Sequence, residues 1–231
     1  METAEADGRD ASPAAATRPV WQPTAAATAA AAFLAAALVA GSWLLLGRPR
    51  SEVAGWEAAA FDLANGLPGA LRWPLWALMQ LGTLWMWSVG GIIAYLLTRR
   101  VRDAVAAALS VLLAAAAAQL VKDAVARARP ADLLDEVTLR EVGVDGHGYV
   151  SGHTTAAFAL ATTLTPLVPP RWRWLPLALA ALVGLARLYM GVHLPLDVVG
   201  GAGLGTLCGL AVSLAVGAVA DRRGAAGTPA R

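Results

Sequence analysis

Apolar residues gather in six runs along the chain, and the segments between the runs hold most of the charged residues. The runs cover residues 24–46, 75–97, 104–121, 154–168, 174–189 and 196–220. The first run contains no charged residue, and a helix that crosses a bilayer needs about 20 mainly apolar residues. The pattern predicts an all-α, polytopic integral membrane protein whose six helices form a transmembrane bundle.

The composition supports a membrane protein. Only 15% of the residues are charged, whereas a soluble domain of this size has about 25%. The formal net charge is +2, and no basic stripe interleaved with aromatic residues indicates a nucleic-acid partner. Cys208 is the single cysteine and lies in an apolar run, so the sequence offers neither a disulfide nor a cysteine metal site. We expect membrane lipids, and no nucleic acid, as partners.

The distribution of basic residues predicts the orientation in the cell membrane. Residues 1–23 are polar and mixed in charge, which predicts a disordered tail. Residues 24–220 would form the six-span domain, and residues 221–231 a second tail. Ten of the 18 Lys and Arg residues fall on the tails and on alternate loops: Arg9, Arg18, Arg99, Arg100, Arg102, Arg171, Arg173, Arg222, Arg223 and Arg231. Since cytoplasmic loops carry an excess of basic residues, both termini are expected in the cytoplasm.

The polar segment 48–74, between the first and second runs, contains scattered large apolar residues. Val53, Trp56, Phe61 and Leu63 predict a short helix with one apolar face in the membrane interface. The second run, residues 75–97, is expected to form one span, and the tryptophans near its ends suit the headgroup region.

The sixth run carries a glycine at every fourth position. Gly201, Gly205 and Gly209 fall on one face of a helix, and small residues at this spacing let membrane helices pack closely. The glycine-rich segment 200–205 does not predict a dinucleotide-binding loop, because it follows no strand and lies inside an apolar run. We therefore predict a helix-packing face.

Ionisable residues concentrate in the segments that flank the third to sixth runs on one side of the bundle. Lys122 and Arg129 are seven residues apart, so they would project from one face if the third helix continued. Ser151 can cap the helix of the fourth run. A helix N-terminus beside Gly152 would favour a bound anion. Arg187 lies near the end of the fifth run.

Two histidines lie at these helix ends. His153 opens the fourth run, where it can give or take a proton near neutral pH. His193 precedes the sixth run, and Pro195 suits the first turn of that helix. This places Asp197 within reach of His193, one turn away.

Together these segments resemble the signature of the type-2 phosphatidic acid phosphatase family, which shares its site with vanadium haloperoxidases and glucose-6-phosphatase. The signature occupies residues 122–197 as Lys122-x6-Arg129-Pro130, Ser151-Gly152-His153 and Arg187-x5-His193-x3-Asp197. Val150 and Ala186 stand where the family has proline and serine. The mechanism requires neither of those side chains.

The resemblance implies a role for each residue. His193 would be the nucleophile and form a phosphohistidine, while Asp197 holds its other ring nitrogen. His153 would protonate the leaving oxygen and later activate water. Fixed donors would bind the phosphoryl oxygens, over which charge spreads in the transition state: Lys122, Arg129, Ser151, Gly152 and Arg187. The resemblance implies no metal ion and no cofactor.

Some basic residues keep a second interpretation. Lys122 would serve equally as an interfacial charge, but it is the only lysine in a chain that otherwise uses arginine, which favours a specific role. Arg127, Arg140 and His147 fit no motif. We expect them to be solvated, or, for the two arginines, to steer substrate.

The implied function is hydrolysis of a lipid phosphate or diphosphate by a metal-independent enzyme at the outer membrane face. Phosphatidic acid, phosphatidylglycerol phosphate and polyprenyl diphosphate are the candidate substrates. A non-catalytic lipid-phosphate-binding or transport protein is the alternative, although transport proteins usually carry ionisable groups near mid-membrane. Six apolar runs disfavour a soluble haloperoxidase.

Overall fold

The computed structural model describes residues 22–46, 52–141 and 143–226, and these ranges contain helices but no strand. The predicted all-α class is confirmed. Most of the two predicted tails lies outside the described residues. The helices are α1 Ala25–Leu45, α2 Gly55–Asn65, α3 Arg72–Met79, α4 Met86–Thr98, α5 Val101–Val125, α6 Pro130–Leu133, α7 Gly152–Leu164, α8 Trp174–Tyr189 and α9 Pro195–Ala226.

Among the residues that the structure describes, three helical stretches are long and apolar enough to cross a membrane: Ala25–Leu45, Val101–Leu133 and Pro195–Gly217. A bent pair, Gly69–Gly82 with Met86–Thr98, would make a fourth crossing. By contrast, α7 has 13 residues and α8 has 16, fewer than the roughly 20 that a straight crossing needs. The count of six spans therefore stays a prediction.

The prediction that the second run forms one continuous helix is wrong. The run folds as the bent pair of α3 and α4. The two parts meet at an angle of 76° after a short 3-10 turn at Gln80–Gly82. Thr83 follows in an extended conformation, and its hydroxyl donates to the carbonyl of Gln80. A Cβ at Gly82 would lie 2.5 Å from the carbonyl oxygen of His153. The helix is interrupted where it passes over the start of α7.

The centre of the bundle is α7, which packs against α5, α8 and α9. The predicted glycine face of α9 lies against it. Cβ atoms at Gly201 and Gly209 would lie 2.8 and 2.6 Å from the carbonyl oxygens of Ser151 and Ala159, and Gly205 meets Thr155 in the same way. This close packing confirms the predicted role of the glycine stripe.

The short helix α2 does not present the apolar face that the sequence predicted. Phe61 is fully buried, whereas Trp56 and Leu63 are exposed. The buried face instead contains Glu57 and Asn65, one turn on either side of Phe61. The helix is thus docked on the protein by polar side chains, which apolar periodicity could not reveal.

Candidate active site

Four helix ends meet at one end of the bundle. The C-terminal ends of α5 and α8 lie beside the N-terminal ends of α7 and α9. Backbone bonds join the segments: the Ser151 N–H donates to the carbonyl of Asp197 at 3.0 Å, and the Gly148 N–H donates to that of Arg127 at 2.7 Å. The three motif segments of the sequence therefore come together in space.

Ser151 caps α7, as predicted. Its hydroxyl oxygen accepts from the Thr154 N–H at 3.5 Å and from the Thr154 hydroxyl at 3.0 Å. Both bonds use the oxygen as acceptor, so the Ser151 proton stays available to a ligand. A Cβ at Gly152 would meet no atom within 4 Å. There is thus free space beside the first residue of α7, and the N-terminus of a helix favours an anion.

His193 and Asp197 form a buried pair between α8 and α9. Their side chains are 2% and 0% exposed, and His193 Nδ1 lies 3.4 Å from Asp197 Oδ2. This is longer than a good hydrogen bond, and the nitrogen has no closer partner among the described residues. Burial lowers the pKa of His193 to about 4, although Asp197 acts in the opposite direction. The imidazole is therefore neutral near pH 7.

Asp197 is held from its other sides by groups that the sequence analysis did not assign to the site. The Leu194 N–H donates to Oδ2 at 2.9 Å, and Arg127 donates to Oδ1 at 2.9 Å. Arg127 also forms a two-pronged ion pair with Glu57, at 3.1 and 2.7 Å. The expectation that Arg127 is solvated is wrong, because its side chain is 1% exposed.

Lys122 and Arg129 do not project from one helix face, because α5 ends at Val125 and Ala126 adopts a left-handed conformation with φ of 53°. Lys122 is half-buried in the last turn. The guanidinium of Arg129 instead donates to three carbonyls, those of Gly146, Val192 and Asp145, at 3.0, 2.8 and 2.9 Å. Through the bond to residue 192, Arg129 is tied to the segment that carries His193.

Arg187, in the last turn of α8, is buried at 1% exposure. Its guanidinium donates to the carboxylate of Glu141 and lies 2.9 Å from the sulfur of Met79. The guanidinium that we predicted to bind phosphate therefore already binds the carboxylate of Glu141. Glu141 comes from the long loop before α7, which the sequence could not relate to Arg187.

Arg140 is also fixed rather than solvated. Its guanidinium carbon lies 4.1 Å from the ring centre of Tyr189, and Nη1 donates to the Tyr189 carbonyl at 2.7 Å. Through these contacts Arg140 attaches its loop, which also contains Glu141, to the end of α8. The third residue outside the motifs, His147, is half-buried.

The electrostatic environment of the cluster is cationic around His153. Arg187, His193, Lys122 and Arg129 all act on this half-buried imidazole. Of these groups, Arg187, Lys122 and Arg129 are positively charged and can neutralise a phosphoryl anion. Within the described residues, no group of three or more His, Cys, Asp or Glu side chains is arranged to hold a metal ion.

Comparison with known proteins finds relatives over the region that holds these residues. The family model described as PAP2 superfamily matches residues 103–220, a range that contains all of the predicted site residues. An undecaprenyl-diphosphatase from Sulfolobus acidocaldarius is 30% identical over 130 residues, which cover 56% of this chain and 63% of that protein. The match thus spans less than two thirds of the archaeal relative's length.

Two solved structures share the fold. The crystal structure of Aquifex aeolicus LpxE has a TM-score of 0.64 and 27% identity, and the match covers 71% of this chain and 98% of that one. The PAP2-type phosphatidylglycerolphosphate phosphatase from Bacillus subtilis has a TM-score of 0.60 and 18% identity, over 83% and 96%. The resemblance drawn from the sequence motifs is confirmed.

Proposed function

The chain belongs to the PAP2 superfamily, and on this basis we propose that it is a membrane phosphatase that hydrolyses a lipid phosphate or diphosphate through a phosphohistidine on His193. The observation that carries the proposal is the buried His193–Asp197 pair beside a cationic cluster at four helix ends. A neutral imidazole is a nucleophile, and a carboxylate on its far nitrogen stabilises the positive charge that develops.

In the first step, Nε2 of His193 attacks the phosphorus and the bond to the leaving oxygen breaks. Burial and the surrounding positive groups lower the pKa of His153 to about 2, so it takes up a proton only when the phosphoryl anion binds and offsets those charges. His153, at the start of α7, then gives this proton to the leaving oxygen, and the lipid leaves as a neutral alcohol or as a shorter phosphate. The lone pair of His193 becomes the new N–P bond. The resulting positive charge on the ring faces Asp197, 3.4 Å from Nδ1.

The phosphoryl oxygens would be bound by the cationic side chains and by the N-terminus of α7. Arg187 and Lys122 would supply charge, Ser151 a hydroxyl proton and Gly152 its backbone N–H, and a Cβ at Gly152 would meet no atom within 4 Å. Arg129 would contribute its charge while its N–H groups hold carbonyls. These fixed donors stabilise the transition state without reorganisation.

In the second step, His153 accepts a proton from water, whose oxygen attacks the phosphorus of phosphohistidine. The N–P bond breaks, inorganic phosphate leaves and His193 becomes neutral again. Because positive side chains neutralise the phosphoryl charge in both steps, we propose that the reaction needs no metal ion.

The relatives and the setting of the site support a lipid substrate. Curated and solved relatives include an undecaprenyl-diphosphatase and a phosphatidylglycerolphosphate phosphatase. We propose phosphatidic acid, phosphatidylglycerol phosphate or a polyprenyl diphosphate as substrate, presented at the outer face of the cell membrane while its chains stay in the bilayer. Both termini would then be cytoplasmic.

Phosphate release by the purified full-length chain in detergent tests this function. Each of the three lipids is supplied in turn, with EDTA present, and His193→Ala is the matched control. We expect release from at least one lipid and none from the control. Lipid binding without release would favour the non-catalytic binding or transport protein, and release that requires added Mg²⁺ would contradict the metal-independent mechanism.

A further inference from the structure

Three charged side chains form a buried chain behind the proposed nucleophile. Glu57 in α2, Arg127 after α5 and Asp197 in α9 are 1%, 1% and 0% exposed. The contacts run in order: Glu57 Oε2 to Arg127 Nη2 at 2.7 Å, and Arg127 Nη1 to Asp197 Oδ1 at 2.9 Å. The far oxygen of Asp197 then faces His193. Four ionisable groups thus stand in line, and the proposed reaction steps use only the last two.

The arrangement fixes the direction in which Asp197 points. Arg127 holds one of its oxygens, and the Leu194 N–H holds the other. Glu57 also accepts from the Leu196 N–H at 3.0 Å, so it binds the first turn of α9 directly. The Asp197 carboxylate cannot turn away from His193 without breaking at least one of these bonds.

The net charge of Glu57, Arg127 and Asp197 sets the electrostatic potential at His193. Arg127 alone would neutralise Asp197 and leave no net charge behind the imidazole. Glu57 adds a second negative charge, so the three groups together carry one net negative charge. That charge balances the positive charge that the ring acquires when it is phosphorylated. In a low-dielectric interior such a balance acts strongly.

Stability alone is a weak reason for this arrangement. Burying three charges carries a large desolvation cost, and apolar residues of similar size often stabilise a fold as well or better. Removing one member of such a network is nevertheless destabilising. A test must therefore separate the effect on the reaction from the effect on folding.

We propose that Glu57 and Arg127 are positioning residues that orient Asp197 and keep a net negative charge behind His193 during phosphoryl transfer. The inference rests on the proposed phosphohistidine mechanism and extends it to α2, which lies outside the range that matches the family model. Neither residue touches the substrate.

A matched control variant is available on the same face of α2. Asn65 lies two turns after Glu57, is buried, and docks α2 by donating to the carbonyls of Thr138 and Tyr189 at 3.0 and 3.1 Å. It makes no contact with Arg127 or Asp197. Asn65→Ala therefore loosens α2 without changing the charges behind His193.

The experiment compares Glu57→Gln with Asn65→Ala in the full-length protein, with an aryl phosphate as substrate. For Glu57→Gln we expect kcat to fall by up to about 100-fold with KM nearly unchanged, because a reacting group that is misplaced by about 1 Å costs that much in rate. Phosphoenzyme trapped by an alkaline quench, in which the N–P bond of phosphohistidine is stable, should form more slowly by the same factor. For Asn65→Ala, any loss of thermal stability should come without this loss of kcat.

The pH profile supplies a readout that a purely structural role would not move. Asp197, Arg187 and Arg129 act directly on His193, and all three are kept in these variants, so a shift of the profile would come from the charge that Glu57 supplies behind Asp197. Glu57→Gln removes negative charge behind the ring, so the acid limb of kcat should move to lower pH. In Asn65→Ala it should stay in place.

A double variant keeps the proposal falsifiable if Glu57→Gln folds poorly. Glu57→Gln combined with Arg127→Met again leaves Asp197 as the one net negative charge. We expect the acid limb of kcat in this variant to return to its position in the unchanged protein. Residues in contact are non-additive in stability as well, so the position of the acid limb, and not kcat alone, is the readout, and a limb that stays shifted would contradict the proposal. Arg127→Lys, which keeps the charge but not the forked geometry, should lower kcat and leave KM unchanged.

The outcomes separate this inference from the proposed function. If the unchanged chain forms phosphoenzyme while Glu57→Gln retains full kcat, or loses no more than Asn65→Ala, the positioning role is wrong and the phosphatase mechanism stands. If the unchanged chain forms no phosphoenzyme on any substrate, the proposed mechanism is wrong and this inference falls with it.

Discussion

Gly82 lies directly against the backbone of His153, so closely that a Cβ at Gly82 would come within 2.5 Å of the His153 carbonyl oxygen. The break between α3 and α4 therefore packs against His153, the residue that we propose as the general acid. The bend of the second apolar run and the position of His153 therefore depend on the same contact.

We expect Gly82→Ala to impair catalysis, because the added methyl group must push the start of α7 away. A displacement of about 1 Å at a reacting group costs up to about 100-fold in rate. Gly41→Ala in α1 is the control, since a Cβ there meets nothing within 4 Å. Steady-state kinetics of both variants check the prediction, and equal activities would contradict the contact.

The two histidines should respond differently to the leaving group. His193→Ala should abolish turnover and trapped phosphoenzyme, because no leaving group replaces a missing nucleophile. His153→Ala should lower turnover on a lipid phosphate by about 10²- to 10⁴-fold. The leaving group of an aryl phosphate departs without protonation. With this substrate, His153→Ala should therefore regain much of the turnover that it loses on a lipid phosphate. Parallel responses of the two variants would show that the roles are assigned wrongly.

Glu141 should compete with phosphate for Arg187, since its carboxylate already accepts from that guanidinium. In Glu141→Gln we expect orthovanadate, which mimics a phosphoryl group, to inhibit at roughly fivefold lower concentration, the equivalent of about 1 kcal/mol for a partly exposed ion pair. Glu136→Gln removes an exposed charge from the same loop and is the control. An unchanged inhibition constant in Glu141→Gln would mean that phosphate does not displace the carboxylate.

The pH dependence should reflect the burial of His193. Its pKa is lowered to about 4, chiefly by burial, and the nucleophile must be unprotonated. As the pH falls, kcat/KM should therefore hold through pH 6.5 and drop only near pH 4, once the profile is corrected for ionisation of the aryl phosphate. An acid limb near pH 6.5 would indicate a solvated imidazole.

The arginine distribution predicts the side on which the site lies. Reporters that are active in the cytoplasm should give signal when fused after Arg102, Arg173 or Arg223. A fusion within residues 131–148 should give none, because this loop lies beside the proposed site. The opposite pattern would place the site in the cytoplasm and change the substrates available to it.

Local sequence was sufficient for the family and for the motif residues that we propose as the site. The spacing from Lys122 to Asp197 identifies the motifs, because each motif is a short segment at a helix end. The glycine stripe of α9 and the Ser151 cap also follow from local rules, since helix periodicity and capping depend on neighbours within a few residues.

Tertiary structure decided the surroundings of those residues. Arg127 appeared to be a solvated loop charge, yet it joins Glu57 and Asp197, each 70 positions away in the chain. Arg187 meets Glu141, and Gly82 meets His153, across similarly long separations. Apolar periodicity reports which positions are buried by hydrophobic packing, but a buried ion pair gives no such signal. Which charges are buried depends on how helices dock, and that is why Glu57 could be found only in the folded protein.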